Sequence, residues 1–210
     1  MNENILVIGA RNNIIDQFSG VTENQENKIF FLKEGAENGW NKASPISARS
    51  NLLQVKNLFG EIHKVFIFYD SNEYIRYNNF DVETISKSVD SMILGYSYLT
   101  SEVLKFFKEQ GFGEIVFILL DSEDREKSIL EEIGISAFSS MAESIAQKKA
   151  GKQFGVTLIK GNSEIFENSM DWLYSYIENP NSKKAALLPK HASKWVKIGS
   201  KTPVILPFIK

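Results

Sequence analysis

The chain has 210 residues, 43% of them hydrophobic and 24% charged, with no cysteine. That length suits one domain able to bury a real core, and the missing thiols exclude disulfides, thiolate catalysis and thiolate zinc sites. A net charge of −2 gives no global case for nucleic acid or an anionic membrane as partner.

In chain order, the first element is a short apolar run, Ile5 to Ile8, closed by Gly9. Such a run suits a strand buried on both faces. It begins almost at once, with no basic region and long apolar stretch before it, so no signal peptide is expected. No apolar run reaches the length of a membrane span, and a cytoplasmic location is the expectation. Further strands are expected at Lys28–Leu32, Lys64–Tyr69, Glu114–Leu120 and Gly155–Ile159, with a last one at Val204–Phe208. Apolar residues at helical spacing predict helices over Ser50–Phe59, Val82–Gln110, Ser136–Lys149 and Ser163–Glu178. Strands alternating with helices predict an α/β fold: a Rossmann-like, doubly wound parallel sheet with helices on both faces, in three α/β/α layers. The expectation is a single domain over residues 1–210, with residues 180–210 a tail carrying the final strand. Lys183, Lys184, Lys190, Lys194, Lys197 and Lys201 in that tail read as a solvated surface.

Three stretches carry a likeness: ILVIGARNNII (Ile5–Ile15), MILGYSYLTSEVLKFFKEQGFGEIVFI (Met92–Ile118) and FSSMAESIAQKKAGKQFGVTLIKG (Phe138–Gly161). Their order and spacing resemble the short-chain dehydrogenase/reductase family from about Asn4 to Gly161. The second matches the family's fourth helix, Gly-x-Gly turn and fifth strand. The third matches the helix after the catalytic tyrosine and the strand leading to a Pro-Gly turn, with Lys160 in the proline position.

The resemblance implies NAD or NADP as cofactor, held by glycines after the first strand. Those glycines make a tight turn, admit the pyrophosphate and let the helix pack on the strand. Only Gly9 is present; Asn13 and Ile15 stand at the other two positions, and β-branched Ile15 does not replace a glycine at a close approach. Gly9, Arg11, Asn13 and Lys33 are the candidate cofactor residues, Lys33 falling where the family selects its ribose. Ile67, Phe68, Tyr69 and Asp70 replace the family's Asn-Asn-Ala-Gly turn, and two bulky rings there are expected to crowd a cofactor.

The family's chemistry needs a tyrosine acid, a lysine four residues on that lowers its pKa, a serine, and an asparagine that supports the lysine. Mapped without gaps, the asparagine position falls on Met92, the serine on Leu119 or Leu120, the tyrosine on Glu131 and the lysine on Ile135. No Tyr-x-x-x-Lys lies nearby. The chain therefore resembles a divergent member with a degenerate cofactor loop and no catalytic set. Three functions stay open: a binding or assembly role without hydride transfer, an NAD(P)-dependent oxidoreductase with relocated residues (Tyr69 and Tyr74 the nearest proton donors), and a binder of another nucleotide or small metabolite. Glu131 reads as a helix carboxylate beside Glu132, and Asp121–Asp124 as a solvated acidic loop. His63 and His191 lack ligand spacing, so no metal site is expected. The resemblance also implies a homodimer or tetramer through the long helix, whose Met92, Tyr96, Leu99 and Val103 form an apolar stripe.

Overall fold

The computed structural model describes residues 3–9, 28–35, 39–122, 125–149, 154–162 and 194–198. Six parallel strands form one sheet in the order β2-β1-β3-β4-β5-β6. They are β1 Asn4–Ile8, β2 Lys28–Leu32, β3 Lys64–Asp70, β4 Glu114–Leu120, β5 Gly155–Gly161 and β6 Val196–Ile198. The first five fall where the apolar runs place them. Val204–Phe208, Ser163–Glu178, His191, Arg11 and Asn13 lie outside the described residues; the last described strand is Val196–Ile198 instead.

The central strands read as unbroken apolar runs because both faces of the sheet are buried. Leu6, Ile8, Val65, Ile67, Tyr69, Ile115, Phe117, Leu119, Val156 and Leu158 join the helices in one core cluster. The alternating set Ile5, Val7, Phe66, Phe68, Val116, Ile118 and Ile159 is also fully buried. Each such side chain contributes roughly 1.5–3 kcal/mol on burial.

Helix α1, Pro45–Phe59, starts earlier than its apolar pattern. Ser44 caps it, its side chain accepting from the Ser47 N–H at 3.2 Å, and Pro45 fills the first turn, where no N–H partner is needed. Helix α2, Val82–Ser88, runs without a break through a π-helical segment, Val89–Leu94, into α3, Gly95–Gln110. The sequence period does not reveal that widened turn. Gly111, at φ 87°, ends α3 with its N–H on the Phe107 carbonyl at 2.8 Å. The stripe Met92, Tyr96, Leu99 and Val103 is almost completely buried in the chain's own core. It is the core face of the helix, so it does not supply the oligomer contact expected of it.

Helix α4, Ile129–Lys149, begins a full two turns before Ser136. Its start is a capping box. The Ser128 Oγ accepts from the Glu131 N–H at 3.2 Å, and the Glu131 carboxylate accepts from the Ser128 N–H at 2.9 Å.

Candidate functional site

In an open parallel sheet, ligands bind outside the carboxyl ends of the strands where the strand order reverses. Here that point is β1, with β2 on one side and β3 on the other. Gly9 follows β1 with φ 70°. A Cβ built on it would lie 2.6 Å from the Phe68 carbonyl oxygen and 3.4 Å from the Tyr96 hydroxyl. The crowding beside Gly9 thus comes from the Phe68 backbone and Tyr96. The Tyr69 ring turns into the helical layer, against Tyr74, Tyr96 and Phe138 at centroid distances of 5.0, 5.3 and 4.9 Å.

From Tyr96 a polar chain runs outward. Its hydroxyl lies 3.0 Å from that of Tyr74. Lys42 Nζ donates to the Tyr74 hydroxyl at 2.8 Å and pairs with Glu34 Oε2 at 2.6 Å. Lys42 is buried, its ammonium 5.1, 5.0 and 5.2 Å from the ring centroids of Trp40, Tyr74 and Tyr96. A buried lysine is tolerated only with such partners. Gly95 makes room for it: a Cβ there would sit 2.5 Å from Lys42 Cβ and 2.9 Å from its Cα. A glycine inside a helical period is the one sequence signal of this close approach; nothing else in the sequence singles out Trp40, Lys42 and Tyr96 together.

Outside this box lies a cleft of about 440 Å³ between the segment after β2 and the α2–π segment. Trp40, Asn41, Lys42, Tyr77, Asp90 and Ser91 are among its walls. Lys33 is exposed at the end of β2, its carbonyl accepting from the Trp40 N–H at 2.8 Å.

The residues on which the expected catalytic positions fall form a second neighbourhood. Met92, Leu119 and Leu120 are buried, and Ile135 packs partly buried against the core. Gly134 admits the Tyr69 hydroxyl and Met92 Cε into the space its Cβ would take. Glu131 is buried and ion-paired through both oxygens with Arg125. Burial works to raise its pKa, but hydrogen bonds from Arg125 and Ser128 outweigh it and hold the carboxyl below its ordinary value. Glu131 is therefore more than a solvated helix carboxylate: it builds the start of α4.

Neither expected proton donor is placed for exchange. Tyr69 and Tyr74 are both fully buried. Burial above all, then the charges of Glu131 and Asp121, pushes the Tyr69 phenol far up; burial and Tyr96 do the same to Tyr74. The Tyr69 hydroxyl makes no hydrogen bond among the described residues. Deleting it removes a desolvated, unmatched group, so Tyr69→Phe is expected to stabilise the fold by about 1 kcal/mol. Chemical denaturation checks this, and a variant weaker than the parent would show a hidden partner.

The acidic run also departs from expectation. Asp121 and Ser122 are buried. Asp121 accepts from Ser71 Oγ at 3.2 Å and pairs with Lys127 at 3.2 Å and Lys160 at 3.6 Å. Among the described residues no His, Asp and Glu cluster is arranged to hold a metal. His63 Nδ1 accepts from the Asn4 N–H at 3.1 Å, which ties β1 to the start of β3. No helix among the described residues is long and apolar enough to cross a membrane.

No family model matches the chain. An uncharacterized protein of Treponema pallidum (strain Nichols) is 23% identical over 167 residues, covering 78% of this chain and 73% of that one. Among solved structures, the carbonyl reductase Sniffer of Caenorhabditis elegans superposes with a TM-score of 0.69 at 12% identity, over 97% of this chain and 99% of its own. The ligand-free aldohexose dehydrogenase of Thermoplasma acidophilum gives 0.65 at 12% identity, over 100% and 98%. The 3-ketoacyl-(acyl-carrier-protein) reductase of Brucella melitensis, complexed with NADH, gives 0.64 at 13%, over 93% and 96%. At these identities the likeness establishes the fold: a Rossmann-like α/β sheet of the kind these dehydrogenases and reductases use.

Proposed function

We propose that this chain is a divergent relative of the short-chain dehydrogenases and reductases that binds a ligand or partner without transferring hydride. One observation carries the reading. The residue at the family's tyrosine position, Glu131, has both carboxylate oxygens engaged by Arg125 and the Ser128 N–H, and Ile135 replaces the lysine. A carboxylate held low and occupied in a helix cap has no proton to exchange near neutral pH. The Tyr96–Tyr74–Lys42–Glu34 chain packed beside Gly9 agrees with it, because that strand end is where the pyrophosphate would approach. Self-association through the long helix, if part of this role, would use the outward Ser101 and Lys105 face rather than the apolar stripe, which is the core.

A second reading has one contact in its favour. Lys42 and Tyr74 form a lysine–phenol pair at 2.8 Å, assembled from different elements than the family's own. The fully buried Tyr74 ring stands against its use on a substrate. A titration with NADH and NADPH, followed by fluorescence and by oxidation of the cofactor against a panel of carbonyl compounds, separates the two readings. No saturable binding up to about 1 mM is the expected result. Micromolar binding with turnover would overturn the proposal and favour the relocated pair.

A further inference from the structure

We propose that the cleft beside Lys42 binds a small organic amine in its protonated form; this names the ligand class for the binding role above and rests on that reading. The argument is a charge inventory of the walls. Glu34, Lys42, Lys87 and Asp90 are the ionisable residues lining it with a formal charge near neutral pH. Lys42 is matched by Glu34 at 2.6 Å, and Lys87 by Glu83 Oε1 at 2.6 Å on the same helix. Asp90 is partly buried, and its carboxylate makes no hydrogen bond or ion pair among the described residues. Among the described residues the cleft therefore holds one unmatched negative charge and no unmatched cation. An entering phosphate meets only lysines already neutralised and a repelling carboxylate. An ammonium meets the opposite.

The rest of the wall fits an amine's three N–H donors. Asp90 and Ser91 follow each other in the π-helical segment Val89–Leu94, a kind of widened turn that often marks functional sites. The hydroxyls of Ser91 and Tyr77 lie 2.9 Å apart, so the oxygen that donates in this pair still has acceptor capacity toward the cleft. Trp40, Tyr77 and Ala43 supply apolar wall for the carbon part of the ligand. Lys42 already sits over the Trp40 face and Arg76 over Tyr77, 5.1 Å from each centroid, so ring faces add packing here rather than cation attraction. The volume of about 440 Å³ lies in the range of small-molecule sites.

Calorimetry on the full chain tests this with benzylamine and putrescine as probes, against inorganic phosphate and adenosine monophosphate. Both amines are expected to bind and both anions to fail. Asp90→Asn is expected to weaken the amines about tenfold, and Lys87→Ala, which removes a like charge, to tighten them about threefold. Thermal melting of both variants at the parent temperature confirms that each folds. Amines that do not bind by about 10 mM, an unchanged affinity in Asp90→Asn, or anion binding weakened by Lys87→Ala would each overturn the proposal. Failure of the amines with no NADH binding removes this inference alone. NADH binding with turnover removes the functional reading beneath it.

Discussion

Gly9→Ala is expected to destabilise the fold by about 3 kcal/mol while changing no measurable affinity for a dinucleotide. Two effects add. At φ 70° the residue sits where an L side chain costs roughly 1–2 kcal/mol. Its Cβ would also lie 2.6 Å from the Phe68 carbonyl oxygen, backbone of the strand that pairs with β1. Neither central strand can move aside, and overpacking of this kind typically costs about 1–3 kcal/mol. In a cofactor loop the same substitution would weaken binding and leave melting nearly unchanged. Here the melting temperature should fall by roughly 6–12 °C. A melting temperature within about 2 °C of the parent would mean that the approach of Phe68 and Tyr96 is not what holds this glycine.

Glu131→Gln is the second large effect, and it carries a pH signature. The buried carboxylate accepts from Arg125 and from the Ser128 N–H at 2.9 Å, while Ser128 Oγ donates to the Tyr77 carbonyl at 2.9 Å. Removing one charge leaves Arg125 without its partner; the side chain of Arg125 is about a quarter exposed, so the loss at pH 7 should be about 2–3 kcal/mol, below that of a fully buried pair. Burial raises the Glu131 pKa, but the hydrogen bonds of Arg125 and Ser128 bring the folded value below the ordinary 4.5. A depressed acid stabilises fully above its unfolded pKa and loses that contribution as pH falls through the folded one. The gap between parent and variant should therefore be complete at pH 7 and shrink below about pH 4. Urea titrations at pH 7 and pH 3.5 measure it. An equal gap at both would show that the charge of Glu131 is not the stabilising element.

Much of the sheet was legible because fully buried parallel strands announce themselves. Ile5–Ile8, Lys64–Tyr69 and Glu114–Leu120 are runs with hardly a polar residue, and they became β1, β3 and β4. The Val82 start of α2 was legible too, but the start of α4 was not, because α4 exposes Ile129 and Ile133 at 58% and 44% and so breaks the amphipathic pattern. The Ser128-x-x-Glu131 spacing was the readable signal there. The Lys42 box was hidden for another reason. Its rings come from residues 40, 74 and 96, joined only by the chain's return to one end of the sheet. Spacing along a sequence does not encode such a meeting, whereas Gly95 records its steric consequence.

The strand order also bears on how the chain is made. β3 adds on the side of β1 away from β2, and every later strand adds beside the one before it, so the sheet then widens in one direction as synthesis proceeds. Each addition closes an open edge and creates the next. Among the strands from β3 outward the longest wait falls on β3 itself, whose free edge ends at Asp70 while its partner begins at Glu114, roughly 44 residues later. At about 5–20 residues per second that edge stays unpaired for some seconds. When its partner comes it pairs along the whole strand, from Lys64 with Glu114 to Asp70 with Leu120. Nascent chains halted in this interval expose a parallel strand edge to their neighbours, which makes it the stretch of translation where crowding on one message favours aggregation.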